Sequence, residues 1–201
     1  MRKLYEEQLK KLHENLVRMG KECEEAIGVV TNALMESSDD ERENINRLER
    51  QIDISQREIE QQCARFLMLE QPMATDLRHI TAAQGMVVDM ERIGDQCADI
   101  AEMSVFVKGC HIKNDVHISD MANATAKMVS DAIESFVDQN LIQAKNVIEY
   151  DDVVDGLFLK IRTELIKRVF FICQHPCSKV PNHLGTSFHH ISIVQNKTIL
   201  T

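Results

Sequence analysis

The sequence predicts an all-α protein assembled from tandem helical bundles, and three observations carry that expectation. Gly (7) and Pro (3) are scarce in 201 residues and Trp is absent, so the chain is poor in turns and suits long helices better than a sandwich of short strands. Apolar residues recur at three- and four-residue steps over long stretches, the signature of a helix with one buried face. The pattern then restarts: residues 16–67, moved by 102, fall without a gap on 118–169. At this length the chain can form one sizeable domain or two small ones, and 44% hydrophobic residues suffice for a core.

The first helix is read from the stripe Leu12, Leu16, Met19, Cys23, Ile27, Val30 and Leu34. Ser37-Ser38-Asp39-Asp40-Glu41 breaks it, and Ser38 with Glu41 three residues on matches a capping box for a second helix. Ile45, Leu48, Ile52, Ile59, Cys63 and Phe66 form the second stripe, with Ser55 in its gap. Glu70-Gln71-Pro72 ends that helix, because Pro has no N–H to donate and restricts the residue before it. Thr75 can cap a third helix, whose stripe is Ile80, Ala83, Met86, Met90, Ile93, Cys97 and Ile100, fading near Gly109. Three helices of roughly 30 residues, each ~45 Å long, cannot bury such stripes singly, so an antiparallel three-helix bundle over residues 1–109 follows.

The repeat supplies a fourth helix (about 118–138) and a fifth (about 141–169). It pairs Met19 with Met121, Ile45 with Val147, Ile52 with Val154 and Ile59 with Ile161. It also pairs Asn44 with Asn146, Glu49 with Asp151 and Asp53 with Asp155. A sixth helix is expected after residue 170, and the sequence does not supply it. From Phe170 on there is no acidic residue, two of the three Pro occur, and apolar spacing becomes irregular. Residues 110–169 are therefore read as two helices of a second bundle, and 170–201 as a divergent tail, poorly ordered.

Charge narrows the function classes. Residues 1–164 hold 19 Lys and Arg against all 32 Asp and Glu, a net of −13, while the remainder carries +4. An acidic body argues against binding nucleic acid or an anionic membrane, and is compatible with cations or basic protein surfaces. No apolar run approaches the ~20 residues needed to span a bilayer. Met1 to Lys11 has no signal-peptide core, so the cytoplasm is the expected compartment. Cys23, Cys63 and Cys97 sit at core spacing and read as free, buried thiols.

Chemistry is concentrated in carboxylates. Glu91, Asp95 and Asp99 lie one turn apart on a face that points away from the stripe Met90, Ile93 and Cys97. Like charges at i,i+4 destabilise a helix by a few tenths of a kcal/mol per pair, roughly. A bound cation would offset that cost, and oxygen ligands suit Mg, Ca, Mn or iron. Otherwise they are ordinary solvated acids, the norm on exposed helices. Glu49 and Asp53 sit on the flank of the second stripe, where they can face a neighbouring helix. Asp151 and Asp155, with Asp152 adjacent, repeat them on the fifth helix.

Gly94 costs about 1 kcal/mol relative to Ala inside a helix, so either a close approach requires it or the helix tolerates it. Asp76 lies at the positive end of the third helix and, at i,i+3 from His79, can share a metal with it or simply favour the helix start. Cys173-Gln174-His175-Pro176-Cys177 holds zinc-ligand residue types but no second ordered pair at finger spacing. There is no Gly-rich phosphate loop, nucleophile elbow or HExxH, and no Glu-x-x-His pair of the kind a ferritin-like di-iron bundle uses.

The string ERIGDQCADIAE (Glu91 to Glu102), the preceding QPMATDLRHI (Gln71 to Ile80) and the tandem helical arrangement resemble the PhoU family. The resemblance covers about residues 1–169. It implies two tandem antiparallel three-helix bundles, the second here lacking its normal last helix. It also implies E/DxxxD motifs that hold surface metal ions, divalent or iron and multinuclear. Carried onto this sequence, the ligands are Glu49 and Asp53, Glu91 and Asp95 with Asp99 behind them, and Asp151 and Asp155. The family acts in bacterial phosphate signalling, restraining the Pst phosphate transporter and helping hold a PhoR-type sensor kinase in its inhibitory state. Its members are commonly dimeric and cytoplasmic. The resemblance thus implies a homodimeric negative regulator and not an enzyme.

The chain departs from the family after about residue 170, where a second ERIGD-type string is expected. The change in composition points to a frameshifted or otherwise altered C-terminus, which would leave the second metal site incomplete. The alternatives are a carboxylate-bridged metalloenzyme, which lacks its expected buried His-bearing site here, and a metal-free helical scaffold.

Overall fold

The computed structural model describes residues 2–36, 39–69, 73–107 and 117–174. These form five helices: α1 (Arg2–Glu36), α2 (Asp39–Leu69), α3 (Ala74–Val107), α4 (Ile118–Val137) and α5 (Leu141–Gln174). Among the described residues there is no strand, so the all-α expectation holds. The capping box at Ser38 and the tail beyond Gln174 lie outside the described residues. α5 runs five residues past the expected 169.

α1, α2 and α3 each pack against the other two, which closes a three-helix bundle. The short connections between them reverse the chain each time. Leu12, Leu16, Met19, Cys23, Ile27 and Val30 of the first stripe are buried, as are all six named positions of the second. Phe66 is fully buried and meets the Tyr5 ring edge-on at 5.6 Å. Such an aromatic contributes several times the free energy of one methylene, about 3–5 kcal/mol on truncation to Ala.

Two details of α3 differ from expectation. Thr75 is the second residue of the helix rather than its cap, and the Met73 carbonyl accepts the Leu77 N–H at 2.8 Å. The buried arc is also wider than one stripe. Ile93 and Ile100 are only partly buried, whereas Val87, Gly94 and Ala101 are buried. A helix wedged between two neighbours buries both flanks, and a single stripe cannot show this.

α4 packs on α1, and α5 packs on α4. Gly20 makes the first contact close: a Cβ there would collide with Ile133 Cδ1. The α4–α5 turn uses Gln139 at φ 52, a left-handed conformation, and then Asn140. The Asn140 Oδ1 accepts the N–H groups of Ile142 and Gln143, both at 3.1 Å, and so caps α5. Val147, Val154 and Ile161 are buried like their counterparts Ile45, Ile52 and Ile59, which gives the 102-residue repeat a physical meaning.

Candidate metal centre

The α2–α3 seam brings carboxylates together from both helices. Glu49 and Asp53 share one edge of α2, one turn apart, and α3 presents Asp95 to them. Ligand oxygens of Glu49, Asp53 and Asp95 all lie within 4.8 Å of one another. The first two are half-buried and Asp95 is exposed. The expectation that the Glu91/Asp95/Asp99 face points away from the packed side is thereby corrected for Asp95. That position is solvent-accessible, yet it borders α2 rather than opposing it, because α3 is flanked on both sides.

The backbone geometry of the seam rests on Gly94. A Cβ at this position would lie 3.0 Å from Ile52 Cδ1 and 3.3 Å from Ile52 Cγ2. The close approach, rather than mere tolerance, is what the glycine provides. It sets Asp95 beside the α2 residues that flank Ile52.

The electrostatics are those of crowded acids. Burial, then Asp95 and Asp53, raises the Glu91 carboxyl above its ordinary pKa; Glu60 adds to this and Arg92 opposes it. Burial, then Asp53 and Asp99, raises Asp95 likewise. Asp53 accepts a hydrogen bond from the Arg57 guanidinium at 3.1 Å. Oxygen-only donors on two helices, with Asp95 and the neighbouring Glu91 raised by burial and by the acids around them, fit a hard cation. Glu49, Asp53 and Asp95 would hold it, with Glu91 and Asp99 adding negative field. Such an ion would supply charge neutralisation and a tie between α2 and α3.

On α5, Asp151 is half-buried and Asp155 exposed. Among the described residues, no side chain from another helix joins them in a comparable set of three metal-ligating groups. Glu60 is the member that sequence reading passed over. Its signal was present, since 49, 53, 56 and 60 share one edge of a helix. The three core thiols Cys23, Cys63 and Cys97 are free and buried.

A family model for the PhoU domain matches the chain twice, over residues 16–104 and 118–196. The chain belongs to the PhoU family. The two matches begin 102 residues apart, the offset at which the helices themselves repeat. The second PhoU match runs on past α5 into residues outside those described. Among curated relatives, a phosphate-specific transport system accessory protein PhoU homolog of Aquifex aeolicus is 36% identical over 168 residues, 83% of this chain and 76% of its own length. One from Clostridium acetobutylicum is 35% identical over 82% of this chain and 76% of its own. The crystal structure of PhoU from Pseudomonas aeruginosa superposes with a TM-score of 0.75 at 27% identity, covering 86% of this chain and 82% of that one. PhoU from Streptococcus pneumoniae, at 24% identity and a TM-score of 0.73, shares the fold.

Proposed function

We propose that this chain is a non-enzymatic negative regulator of phosphate uptake that acts by docking. The observation that carries this reading is the likeness, over more than four-fifths of the chain, to proteins named as accessory to phosphate-specific transport. On this reading its partners are the Pst phosphate transporter and a PhoR-type sensor kinase. Preference for one transporter state is then passed on as a bias on the kinase. The described residues contain no helix long and apolar enough to cross a membrane, which suits a protein that reaches the bilayer only through partners from the cytoplasm. Exposed apolar residues on α5, among them Ile142, Leu159 and Ile166, suit a homodimer or partner contact.

The carboxylate seam belongs to the same proposal as a divalent or iron site. Complementation tests the whole: in a bacterium lacking its own PhoU, this chain restores phosphate-dependent repression of the Pho regulon. Failure of a well-expressed, folded chain to do so overturns the regulatory reading. Elemental analysis tests the seam separately. Protein purified without chelator holds a divalent metal or iron that falls in a Glu91→Ala/Asp95→Ala double variant. Equal metal in both proteins, or none in either, returns these carboxylates to the status of solvated acids.

A further inference from the structure

A second set of metal-ligating side chains lies elsewhere in the bundle. His13 of α1 and His79 of α3 meet with their Nε2 atoms 2.8 Å apart. Phe136, in the last turn of α4, stacks on the His79 ring at 4.2 Å between centroids and 10° between planes. The same ring stands edge-on to His13 at 6.3 Å. These contacts hold both imidazoles in place at the point where the first repeat meets the second. His79 and Asp95 are ~24 Å apart along α3 at 1.5 Å per residue, so this cluster is separate from the carboxylate seam.

We propose that His13 and His79 together bind a borderline transition-metal ion of the zinc(II) class, which clasps α1 to α3 beneath α4. Two facing Nε2 atoms share one proton, and only one ring can donate it. A zinc ion can take the place of that proton, which then sits on Nδ1 of the same ring so that both Nε2 lone pairs face the ion. At Zn–N distances of about 2.0–2.1 Å, two imidazoles on a tetrahedral ion have their nitrogens about 3.3 Å apart, so the nitrogens part by ~0.5 Å. Each ring, now aimed straight at the other with centroids 5.1 Å apart, turns by about 35°. Imidazole selects Zn, Ni or Cu over Mg or Ca, which distinguishes this pair from the oxygen-only seam.

The surroundings keep the two rings in the neutral form that can ligate a metal. Burial pushes both imidazole pKa values down, and His13 also lowers His79, so neutral rings with free lone pairs are favoured near pH 7. Asp138, just past α4, acts on His13, and Asp76, one turn earlier on α3, acts on His79. Among the described residues neither acid completes a set of three ligand atoms within 4.8 Å, so the remaining positions on the ion go to water.

The test is zinc(II) titration of the full chain in excess magnesium, which occupies the carboxylate seam. His13→Gln and His79→Gln are compared with Glu49→Gln/Asp53→Asn. Loss of an outer-shell partner alone costs about 10–100-fold in metal affinity, so loss of either imidazole weakens one zinc equivalent by about tenfold or more. The Glu49→Gln/Asp53→Asn protein keeps that equivalent. Counting the equivalent lost separates this site from thiols and imidazoles elsewhere in the chain. Circular dichroism establishes whether the His variants fold. If they do not, nitrogen NMR of the wild type decides, with the Nε2 resonances of His13 and His79 shifting together at one equivalent. Unchanged titrations in both folded His variants, or unmoved resonances, overturn the proposal.

Discussion

Gly94 of α3 lies against Ile52 of α2 so closely that a methyl group on Gly94 would sit 3.0 Å from Ile52 Cδ1 and 3.3 Å from its Cγ2. Ile52 is itself buried and branched at Cβ, so its Cγ2 moves less freely than its Cδ1. On this contact depends how near Asp95 comes to Glu49 and Asp53.

Gly94→Ala therefore sets two effects against each other. The helix gains up to about 1 kcal/mol in intrinsic propensity, and the seam must open by a few tenths of an ångström. The expected net change in unfolding free energy is within about 1 kcal/mol. Gly94→Leu adds volume that the seam cannot absorb and destabilises by about 1–3 kcal/mol. If the seam binds a cation as proposed, Gly94→Leu weakens that binding with every carboxylate intact. Urea unfolding and metal titration check the two statements, and a neutral Gly94→Leu contradicts the close approach.

The crowded acids give stability a pH dependence of known sign. Glu91 and Asp95 have raised pKa values in the folded protein. Between the ordinary carboxylate pKa and the raised one, the folded state holds more protons than the unfolded chain, so stability falls as pH rises through that window. Above it the repulsion is present in full. In chelator at neutral pH, Asp95→Asn removes two i,i+4 like-charge pairs, with Glu91 and Asp99. It should then stabilise by about 0.2–0.5 kcal/mol per pair. The gain shrinks as pH is lowered through the window. Thermal unfolding at several pH values reads this, and a variant no more stable than wild type at neutral pH shows the carboxylates to be unstrained.

Glu22 is a buried acid that depends on α2. It accepts a hydrogen bond from Ser55 Oγ at 2.7 Å and another from Gln51 Nε2 at 3.0 Å, with Arg18 Nε 3.9 Å away. Ser55→Ala leaves one carboxylate oxygen short of a donor inside the α1–α2 interface. Hydrogen bonds to charged groups contribute about 1.5–3 kcal/mol, and a loss of that order is expected. Glu22→Gln should cost less, since the amide carbonyl still accepts. Urea midpoints rank the two, and a harmless Ser55→Ala overturns the account.

The core thiols should be chemically quiet. Burial raises all three, Cys63 to about 11 and Cys97 to about 12, and only the thiolate reacts. Maleimide labelling read peptide by peptide should spare Cys23, Cys63 and Cys97 in the native protein. Their labelling should begin only in the urea range where the bundle unfolds. Fast native labelling of Cys97 would show that α3 opens locally.

Much of the fold was legible from spacing because a helix writes its buried face into the chain every three or four residues. Leu12 to Val30 and Ile45 to Phe66 were read this way. Ser55 occupied a core position without an apolar side chain, and its role became visible only beside Glu22. The seam was half legible. Glu49 and Asp53 declared a pair, while Asp95 read as outward because a helix wheel shows one face and not two neighbours. Glu60 lay on the same edge as Glu49 and Asp53, and a longer stripe would have found it.

By itself the sequence determined the helices, their repeat after 102 residues, the core stripes and the family, since each depends on residues near one another in the chain or on motifs within it. Only the tertiary structure decided which carboxylates meet across α2 and α3, why Gly94 is small, and that His13 and His79 face one another from positions 66 residues apart. Those outcomes depend on the axial register and approach of packed helices. Register and approach come from how side chains interlock across the seams, which periodicity along one helix does not encode.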